Sequence, residues 1–145
     1  RKVKMKKYVY LAGPIEGCNT SEILDWRQNA FDCFTSNVQG INPFRAEEDV
    51  KSNESAKRVI TKNYMDTQMC DGILAYLPKE FNDRRPSYGT VMEIAWGFSL
   101  QKPVWVVSDD DFVHGHPLIS QSSMMFREMD DAIDHINVLF GEYDG

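Results

Sequence analysis

The chain has 145 residues, 42% of them hydrophobic and 26% charged, and its formal net charge at pH 7 is −6. We expect one globular domain over residues 1–145, and the acidic balance argues against a general binder of nucleic-acid polymers. No apolar run reaches the ~20 residues that span a bilayer, so no membrane contact is expected. The three cysteines have no metal-type spacing, and no signal-peptide pattern is recognised. Reduced thiols, a cytoplasmic location and no metal are therefore expected.

Short apolar runs alternate along the chain with stretches of helical periodicity, which predicts alternating strands and helices. The first strand is predicted at Tyr8–Ala12, and the loop Gly13–Thr20 follows it. This loop has neither the GxGxxG nor the GxxxxGK[ST] pattern, so a plain connection and a ligand-contacting loop fit it equally. Asn19 and Glu22 have the spacing of a capping box, which predicts that the first helix starts at Asn19–Ser21.

The remaining elements are predicted from the same periodicity and from the glycines and prolines at their ends. In chain order they are a strand at Gly40–Pro43, a loop at Phe44–Asn53, a helix at Glu54–Met69, a strand at Ile73–Leu77, a charged loop at Pro78–Pro86, a helix at Gly89–Leu100, a strand at Val104–Val107, an irregular stretch at His114–Ser123, a short strand at Met124–Arg127 and a helix at Asp130–Phe140. Asp109–Asp111 is predicted to be a solvated turn, because no EF-hand pattern surrounds it. Arg84 and Arg85 fit either an exposed loop face or an anion site.

Strands that alternate with helices in this way favour an α/β fold, a doubly wound parallel sheet with helices on both faces. Five strands in the order 2-1-3-4-5 would place a ligand crevice at the carboxyl ends of the first and third strands. The loops at those two ends are Gly13–Thr20 and Pro78–Gly89. The fold prediction therefore puts the candidate ligand site between these loops.

One carboxylate, Glu93, follows the small-residue turn Ser87–Thr90 near the start of the third predicted helix. Gly89 has no side chain, and the first N–H groups of a helix lack partners, so a sugar or nucleotide could approach closely. A position in the first helical turn would favour the charged carboxylate by roughly 0.3–1 kcal/mol. The alternative for Glu93 is a surface carboxylate that stabilises the helix start.

A carboxylate without metal ligands or a Ser-His-Asp set suits displacement at the anomeric carbon of a sugar. The carboxylate attacks, a glycosyl ester forms, and water or another acceptor resolves it. The phenol of Tyr10, at the end of the first strand, could donate a hydrogen bond to Glu93 and orient it; the alternative for Tyr10 is a packed strand residue.

Four segments, Tyr10–Pro14, Asp71–Ala75, Ser87–Glu93 and Lys102–Val104, occur in an order that resembles the nucleoside 2-deoxyribosyltransferase family. The resemblance covers nearly the whole chain. It implies a flavodoxin-like fold, no cofactor or metal, Glu93 as the nucleophile and Tyr10 as the residue that positions it. It also implies a homodimer or larger assembly in which a neighbouring subunit completes each site.

The same resemblance implies which residues bind a small nucleoside or nucleotide. They are Gly13, Pro14, Ile15, Ser87, Gly89, Thr90, Ser123 and Met125. Members that act on free nucleosides carry an Asp where this chain has Ser87, and an Asn where it has Ser123. The branch that hydrolyses nucleoside 5′-monophosphates has serines at such positions. A hydroxyl donates a hydrogen bond to a phosphate that a carboxylate would repel, so a nucleotide is favoured over a free nucleoside.

A second departure concerns the group that protonates the departing base. The family usually has an Asp in the second helix, where the alignment puts Asn63, and an amide cannot act as a general acid. Asp66, nearly one turn further on, is the alternative.

Three functions remain open from the sequence. The first is an N-glycosidase or deoxyribosyltransferase acting through Glu93, with hydrolysis and transfer undistinguished. The second is a non-catalytic protein of the same fold that binds or senses a nucleotide. The third is a flavodoxin-like electron carrier, which would require a flavin.

Overall fold

In the computed structural model, residues 5–44, 53–81 and 86–141 are described. Most of the predicted loop Phe44–Asn53 lies outside these residues, as do Arg84 and Arg85. The described strands are β1 (Lys7–Ala12), β2 (Val38–Ile41), β3 (Gly72–Tyr76), β4 (Val104–Val107) and β5 (Met124–Phe126). The described helices are α1 (Thr20–Cys33), α2 (Asn53–Met69), α3 (Tyr88–Ser99), α4 (Pro117–Ser120) and α5 (Met129–Ile136). None of these helices is long and apolar enough to cross a membrane.

The five strands form one parallel sheet in the order β2-β1-β3-β4-β5, which confirms the predicted α/β fold and its strand order. In the register, Val9 lies opposite Gly72, and Ile73 lies opposite Val104. Because all strands are parallel, the loops after β1 and β3 and the start of α3 meet at the same edge of the sheet. That edge is where the two candidate ligand loops were expected.

Two apolar clusters, one for each face of the sheet, hold the layers together. The first joins α1 and α5 to the sheet through Val9, Leu11, Trp26, Ala30, Leu74, Trp105, Val107, Ala132, Ile133 and Ile136. The second lies under α3 and the end of α2, through Tyr10, Ala12, Cys70, Ile73, Ala75, Ile94, Val104 and Val106. Alternate residues of β1 therefore point to opposite faces, and Tyr10 faces α3 while its neighbours Val9 and Leu11 face α1.

The capping box at the start of α1 is present as predicted. The Asn19 side chain accepts from the Glu22 N–H, and the Glu22 carboxylate accepts from the Asn19 N–H, both at 2.9 Å. The capping box fixes the point where the loop after β1 ends, so that loop has defined anchors on both sides: the strand before it and the capped helix after it.

Four of the five predicted strands have different ends in the structure: the first begins one residue earlier, at Lys7, and the third is Gly72–Tyr76 rather than Ile73–Leu77. The second strand is Val38–Ile41 rather than Gly40–Pro43, because Val38 is buried against the core and pairs with Lys7. The last strand ends one residue earlier than predicted, at Phe126.

Two stretches near the chain end have more structure than the sequence indicated. Within the stretch expected to be irregular, Pro117 opens the single-turn helix α4, which the His116 side chain caps by accepting from the Leu118 N–H at 3.1 Å. Asp110, predicted to be solvated, is buried and accepts hydrogen bonds from three backbone N–H groups, those of Phe112, Val113 and His114. The carboxylate therefore organises the turn after β4, whereas Asp109 and Asp111 are exposed as predicted.

Candidate active site

A buried pair, Tyr10 on β1 and Glu93 on α3, forms the centre of the candidate site. The Tyr10 hydroxyl donates a short hydrogen bond to Oε2 of Glu93. Tyr10 is fully buried and Glu93 is 6% exposed. Thr90, Ile94 and Gly97, one turn before and after Glu93, are also buried. Glu93 therefore faces the sheet and is not the surface carboxylate that the alternative interpretation required.

Burial changes the protonation of Glu93, and here the sequence-based expectation was wrong. The helix begins at Tyr88, so Glu93 lies in the second turn rather than the first. Burial raises the pKa of Glu93 to about 7, although the hydrogen bond from Tyr10 and the charge of Arg27 act in the opposite direction. Desolvation of the carboxylate outweighs the small helix-dipole effect, which is worth roughly 0.3–1 kcal/mol.

The phenol of Tyr10 stays protonated over the whole physiological range. Burial, followed by the nearby charge of Glu93, raises the pKa of Tyr10 far above its ordinary value. A neutral phenol can only donate its proton into the bond with a carboxylate. The pair is therefore arranged with Tyr10 as a fixed donor and Glu93 as the acceptor.

Arg27 on α1 is a third member of the site that the sequence analysis did not identify. Its side chain is completely buried, and its guanidinium donates to the backbone carbonyls of Leu11, Gly13 and Ile23. Burial lowers the pKa of Arg27 to about 10, so it remains a cation at neutral pH. The available signal was its position on the same helical face as Ile23 and Ala30, which is unusual for a solvated arginine.

The two candidates for protonating a base, Asn63 and Asp66, both lie on α2 and are half-buried. The charge of Asp66 acts on both Tyr10 and Glu93, which places this carboxylate beside the buried pair. Lys62, one turn earlier, donates to Asp66 at 2.5 Å. The structure thus brings Asp66 into the electrostatic surroundings of Glu93.

The start of α3 contains the other predicted substrate-binding residues. The Ser87 and Thr90 hydroxyls are hydrogen-bonded at 2.8 Å. Gly89 is exposed, and a Cβ added there would meet no atom within 4 Å. Within the described part of the chain, packing therefore does not require a glycine at this position.

His114, for which the sequence predicted no role in the site, supports this helix start. Its Nε2 accepts from the Ser87 N–H at 3.1 Å, while its Nδ1 lies 3.6 Å from Oδ2 of Asp110. The ring is fully buried, and burial lowers the pKa of His114, which favours the neutral ring that this acceptor role needs. The Ser87 N–H is therefore already bonded within the protein.

The predicted loop residues after β1 lie at the carboxyl edge of the sheet. Gly13 and Pro14 are buried, and Ile15 is half-buried. A Cβ on Gly13 would come within 2.7 Å of Trp26 Cζ2, so packing alone explains this glycine. The positive φ of Gly17 (82°) makes it the residue in this loop whose backbone needs a glycine.

The last two predicted residues, Ser123 and Met125, lie on the edge strand side of the sheet. The Ser123 hydroxyl donates to the Ile119 carbonyl at 2.7 Å and contacts Met125 Sδ at 3.4 Å. Within the described residues these two are not brought into contact with the Tyr10–Glu93 pair. Met125 instead lines a cleft of about 230 Å³ between the turn after β4 and Arg127. The lining of this cleft includes neither Tyr10 nor Glu93, so the cleft is separate from the buried polar pair.

The part of the chain that the structure describes contains no set of side chains arranged to bind a metal ion. No group of three or more His, Cys, Asp or Glu residues there could hold a metal ion. The described cysteines, Cys18, Cys33 and Cys70, are all unpaired thiols.

Comparisons with known proteins agree with this fold. The family model described as nucleoside 2-deoxyribosyltransferase matches residues 9–135. No curated protein sequence matches the chain. A 2-deoxyribosyltransferase from the psychrotolerant bacterium Bacillus psychrosaccharolyticus superposes with a TM-score of 0.66 at 18% identity, covering 88% of this chain and 90% of its own. A conserved protein from Enterococcus faecalis V583 superposes with a TM-score of 0.68 at 13% identity, covering 92% and 99%.

Proposed function

Because the chain belongs to the nucleoside 2-deoxyribosyltransferase family, we propose that it cleaves the N-glycosidic bond of a (2′-deoxy)nucleoside 5′-monophosphate or nucleoside, with Glu93 as the nucleophile. The observation that carries this proposal is the buried hydrogen bond from the Tyr10 hydroxyl to Oε2 of Glu93. It holds one carboxylate oxygen in place at the carboxyl edge of the sheet. A held, partly desolvated carboxylate at a ligand crevice is what displacement at a sugar carbon needs.

In the first step, Oε1 of Glu93 attacks C1′ of the sugar. The described residues provide no hydrogen bond to Oε1, whereas Oε2 is occupied by Tyr10. The new C1′–O bond forms as the C1′–N bond breaks, and the bonding electron pair leaves on the base nitrogen. The transition state resembles an oxocarbenium ion, which the carboxylate stabilises electrostatically.

The departing base must gain a proton, and we assign its delivery to Asp66: the carboxylate takes a proton from the Lys62 ammonium that donates to it, and passes it to the base directly or through a water. The nearness of its charge to both Tyr10 and Glu93 supports this assignment. The Asn63 amide lies on the same helix and is assigned a hydrogen bond to the base, because it has no acidic proton to transfer.

In the second step the glycosyl–Glu93 ester is resolved. Attack by water at C1′ releases the sugar and the free carboxylate, which is hydrolysis; attack by the nitrogen of a second base gives a new nucleoside, which is transfer. The proton lost by the water or the incoming base returns to the group that protonated the first base. The two outcomes share every residue assigned above.

A 5′-monophosphate fits the start of α3 better than a free 5′-hydroxyl does. The described surroundings of Ser87 offer hydroxyls from Ser87 and Thr90, held 2.8 Å apart, and the unpaired N–H groups of the first helical turn. These are donors, and donors together with the positive end of a helix favour an anion.

Incubating the protein with a panel of nucleosides and their 5′-monophosphates, with and without an acceptor base, tests this proposal. Free base is expected from the monophosphates, and a new nucleoside or nucleotide in the presence of the acceptor would identify a transferase. Ser87→Asp is expected to lower kcat/KM for the monophosphate by about 100-fold, because a carboxylate repels the phosphate.

The same variant should leave the kcat/KM for the matching free nucleoside equal or higher. Ser99→Asp, which makes the same change at an exposed position at the far end of the same helix α3, is the matched control. An equal loss of activity on both substrates in Ser87→Asp would contradict a phosphate at this position.

We further propose that the protein acts as a homodimer or larger assembly. The positions of Ser123 and Met125, away from Glu93 in their own chain, support a role in a neighbouring subunit's site. A sedimentation measurement that finds only monomers at the concentrations used for activity would overturn this part.

The second candidate function is a nucleotide-binding protein without turnover, which Asn63 favours because the usual acid is absent at that position. It predicts ligand binding by calorimetry with no free base after prolonged incubation. The panel experiment therefore separates the two functions directly.

A further inference from the structure

The surroundings of the Arg27 side chain are unusual for an arginine that only stabilises the fold. Its guanidinium is fully buried, and in the described part of the chain its hydrogen bonds all go to backbone carbonyls. Nε donates to the Leu11 oxygen at 3.2 Å, Nη1 to the Ile23 oxygen at 2.6 Å and Nη2 to the Gly13 oxygen at 3.3 Å. The guanidinium also lies 4.6 Å from the centre of the Trp26 ring. Within the described ranges, no carboxylate is hydrogen-bonded to it.

A buried cation without a negative partner is costly, so the source of its countercharge matters. Among the described residues two carboxylates are buried, Asp110 and Glu93. Asp110 is already held by three backbone N–H groups in the turn after β4. Glu93 receives a single hydrogen bond, from Tyr10, and its charge is the foremost one acting on Arg27.

The backbone contacts of Arg27 also reach the residues next to the reactive pair. Leu11 follows Tyr10 directly, and Gly13 begins the loop that we assign to the substrate. One planar guanidinium thus ties the end of β1 to the first turn and a half of α1. A planar fork with several fixed donors can do this, whereas a lysine ammonium is a point charge on a flexible stem.

We propose that Arg27 is the positioning residue of this site: it holds the Gly13 end of β1 in place and supplies the fixed positive charge that keeps Glu93 ionised near neutral pH. The inference rests on the proposed function, because the ionisation of Glu93 matters for turnover only if Glu93 is the nucleophile. Arg27 acts through Glu93 and the loop and does not touch the substrate.

The other charged groups around Glu93 act differently. Tyr10 on β1 is a neutral donor, and Asp66 on α2 adds a negative charge that Lys62 partly offsets. The strands β3 and β4, on which α3 also packs, contain no charged residue. Among the described residues, Arg27 is therefore the cation that acts on Glu93.

The test compares Arg27→Gln with Arg27→Lys in the dependence of kcat/KM on pH. In the wild type, kcat/KM should rise with pH, and the midpoint of this rising limb should lie near the pKa of Glu93, about 7. Arg27→Gln removes the charge, and the limb should move upward by about one pH unit. Arg27→Lys keeps the charge but not the three carbonyl contacts, so the limb should stay in place while KM rises severalfold.

A limb that stays at the wild-type pH in folded Arg27→Gln would overturn the electrostatic role. Should Arg27→Gln fail to fold, Arg27→Lys decides alone: an unmoved limb with a raised KM supports the inference, and a limb moved by about one unit overturns it. An unchanged KM in Arg27→Lys would overturn the anchoring of the Gly13 loop.

A second readout does not depend on turnover. The carboxyl carbon of Glu93 can be titrated by ¹³C NMR in both proteins, with Glu93→Gln used to assign the resonance. Its midpoint should be higher in Arg27→Gln than in the wild type, and equal midpoints would overturn the inference. If the wild type releases no base from any substrate, the proposed function fails, but this titration still tests Arg27.

Discussion

Glu93→Gln is expected to lower the rate of base release by at least about 10³-fold, because the amide oxygen is too weak a nucleophile to form the glycosyl ester. The substitution is nearly isosteric, and the glutamine oxygen can still accept the hydrogen bond that Tyr10 donates to Glu93. Substrate should therefore still bind, so kcat falls far more than KM changes. The effect is measured as the rate of free-base release at saturating substrate, with the base quantified by chromatography.

The matched control is Glu54→Gln. Glu54 is an exposed carboxylate on α2 whose side chain pairs with Arg58 at 3.5 Å, and it has no predicted role in the site. This variant should keep wild-type activity. Base release by Glu93→Gln at a rate within a few-fold of the wild type would eliminate Glu93 as the nucleophile, whatever the fold.

The same substitution should change how the stability of the protein depends on pH. The pKa of Glu93 is raised by burial from 4.5 in an unfolded chain to about 7 in the folded state. The folded protein therefore binds this proton more tightly than the unfolded chain does, and wild-type stability is lost as pH rises from about 4.5 through about 7. Glutamine does not titrate. The free energy of unfolding of Glu93→Gln, relative to wild type, should thus grow by about 3 kcal/mol between pH 4 and pH 8.

Urea denaturation of the two proteins at pH 4.5, 6, 7 and 8 measures this difference. The test is the change with pH of this difference in unfolding free energy. The part of the difference that does not vary with pH includes the surroundings of the new amide, which the prediction does not concern. Glu54→Gln again serves as the control and should show no such pH dependence. A stability difference that is flat across this range would mean that Glu93 titrates in the folded protein as it does in the unfolded chain.

The proximity of Tyr10 and Glu93 was predictable because local and long-range patterns agreed. Tyr10 ends a short β-rich run, Glu93 follows a small-residue turn, and the strand order 2-1-3-4-5 brings those two points to one edge of the sheet. Parallel topology converts two distant sequence positions into neighbours, so a correct strand order was sufficient to place them near each other.

The electrostatics of the pair could not be read from the sequence. The helix start was predicted one residue late, at Gly89, and Glu93 was assigned to an exposed first turn, although it faces the core with Thr90 and Gly97. Whether a carboxylate on α3 faces water or the sheet depends on how the helix is rotated, which is set by packing. Burial then reversed the expected direction of the pKa shift.

The supporting residues were missed for a related reason. Arg27 and His114 carry no motif, and single polar residues on a helix or in a loop are usually solvated. Their partners are backbone groups, the Leu11, Gly13 and Ile23 carbonyls for Arg27 and the Ser87 N–H for His114. Such contacts leave no pairing pattern in one sequence, because every residue offers the same backbone atoms.

The most direct measurement of the central claim is the mass of the protein during turnover. Wild-type protein is mixed with a 2′-deoxynucleoside 5′-monophosphate, quenched in acid within the first turnovers and digested for mass spectrometry. The expected result is a peptide containing Glu93 that is heavier by one deoxyribosyl 5-phosphate group, absent from Glu93→Gln and lost when an acceptor is added before the quench. Rapid base release with the sugar found on another residue, or with no adduct at any quench time, would contradict attack by Glu93.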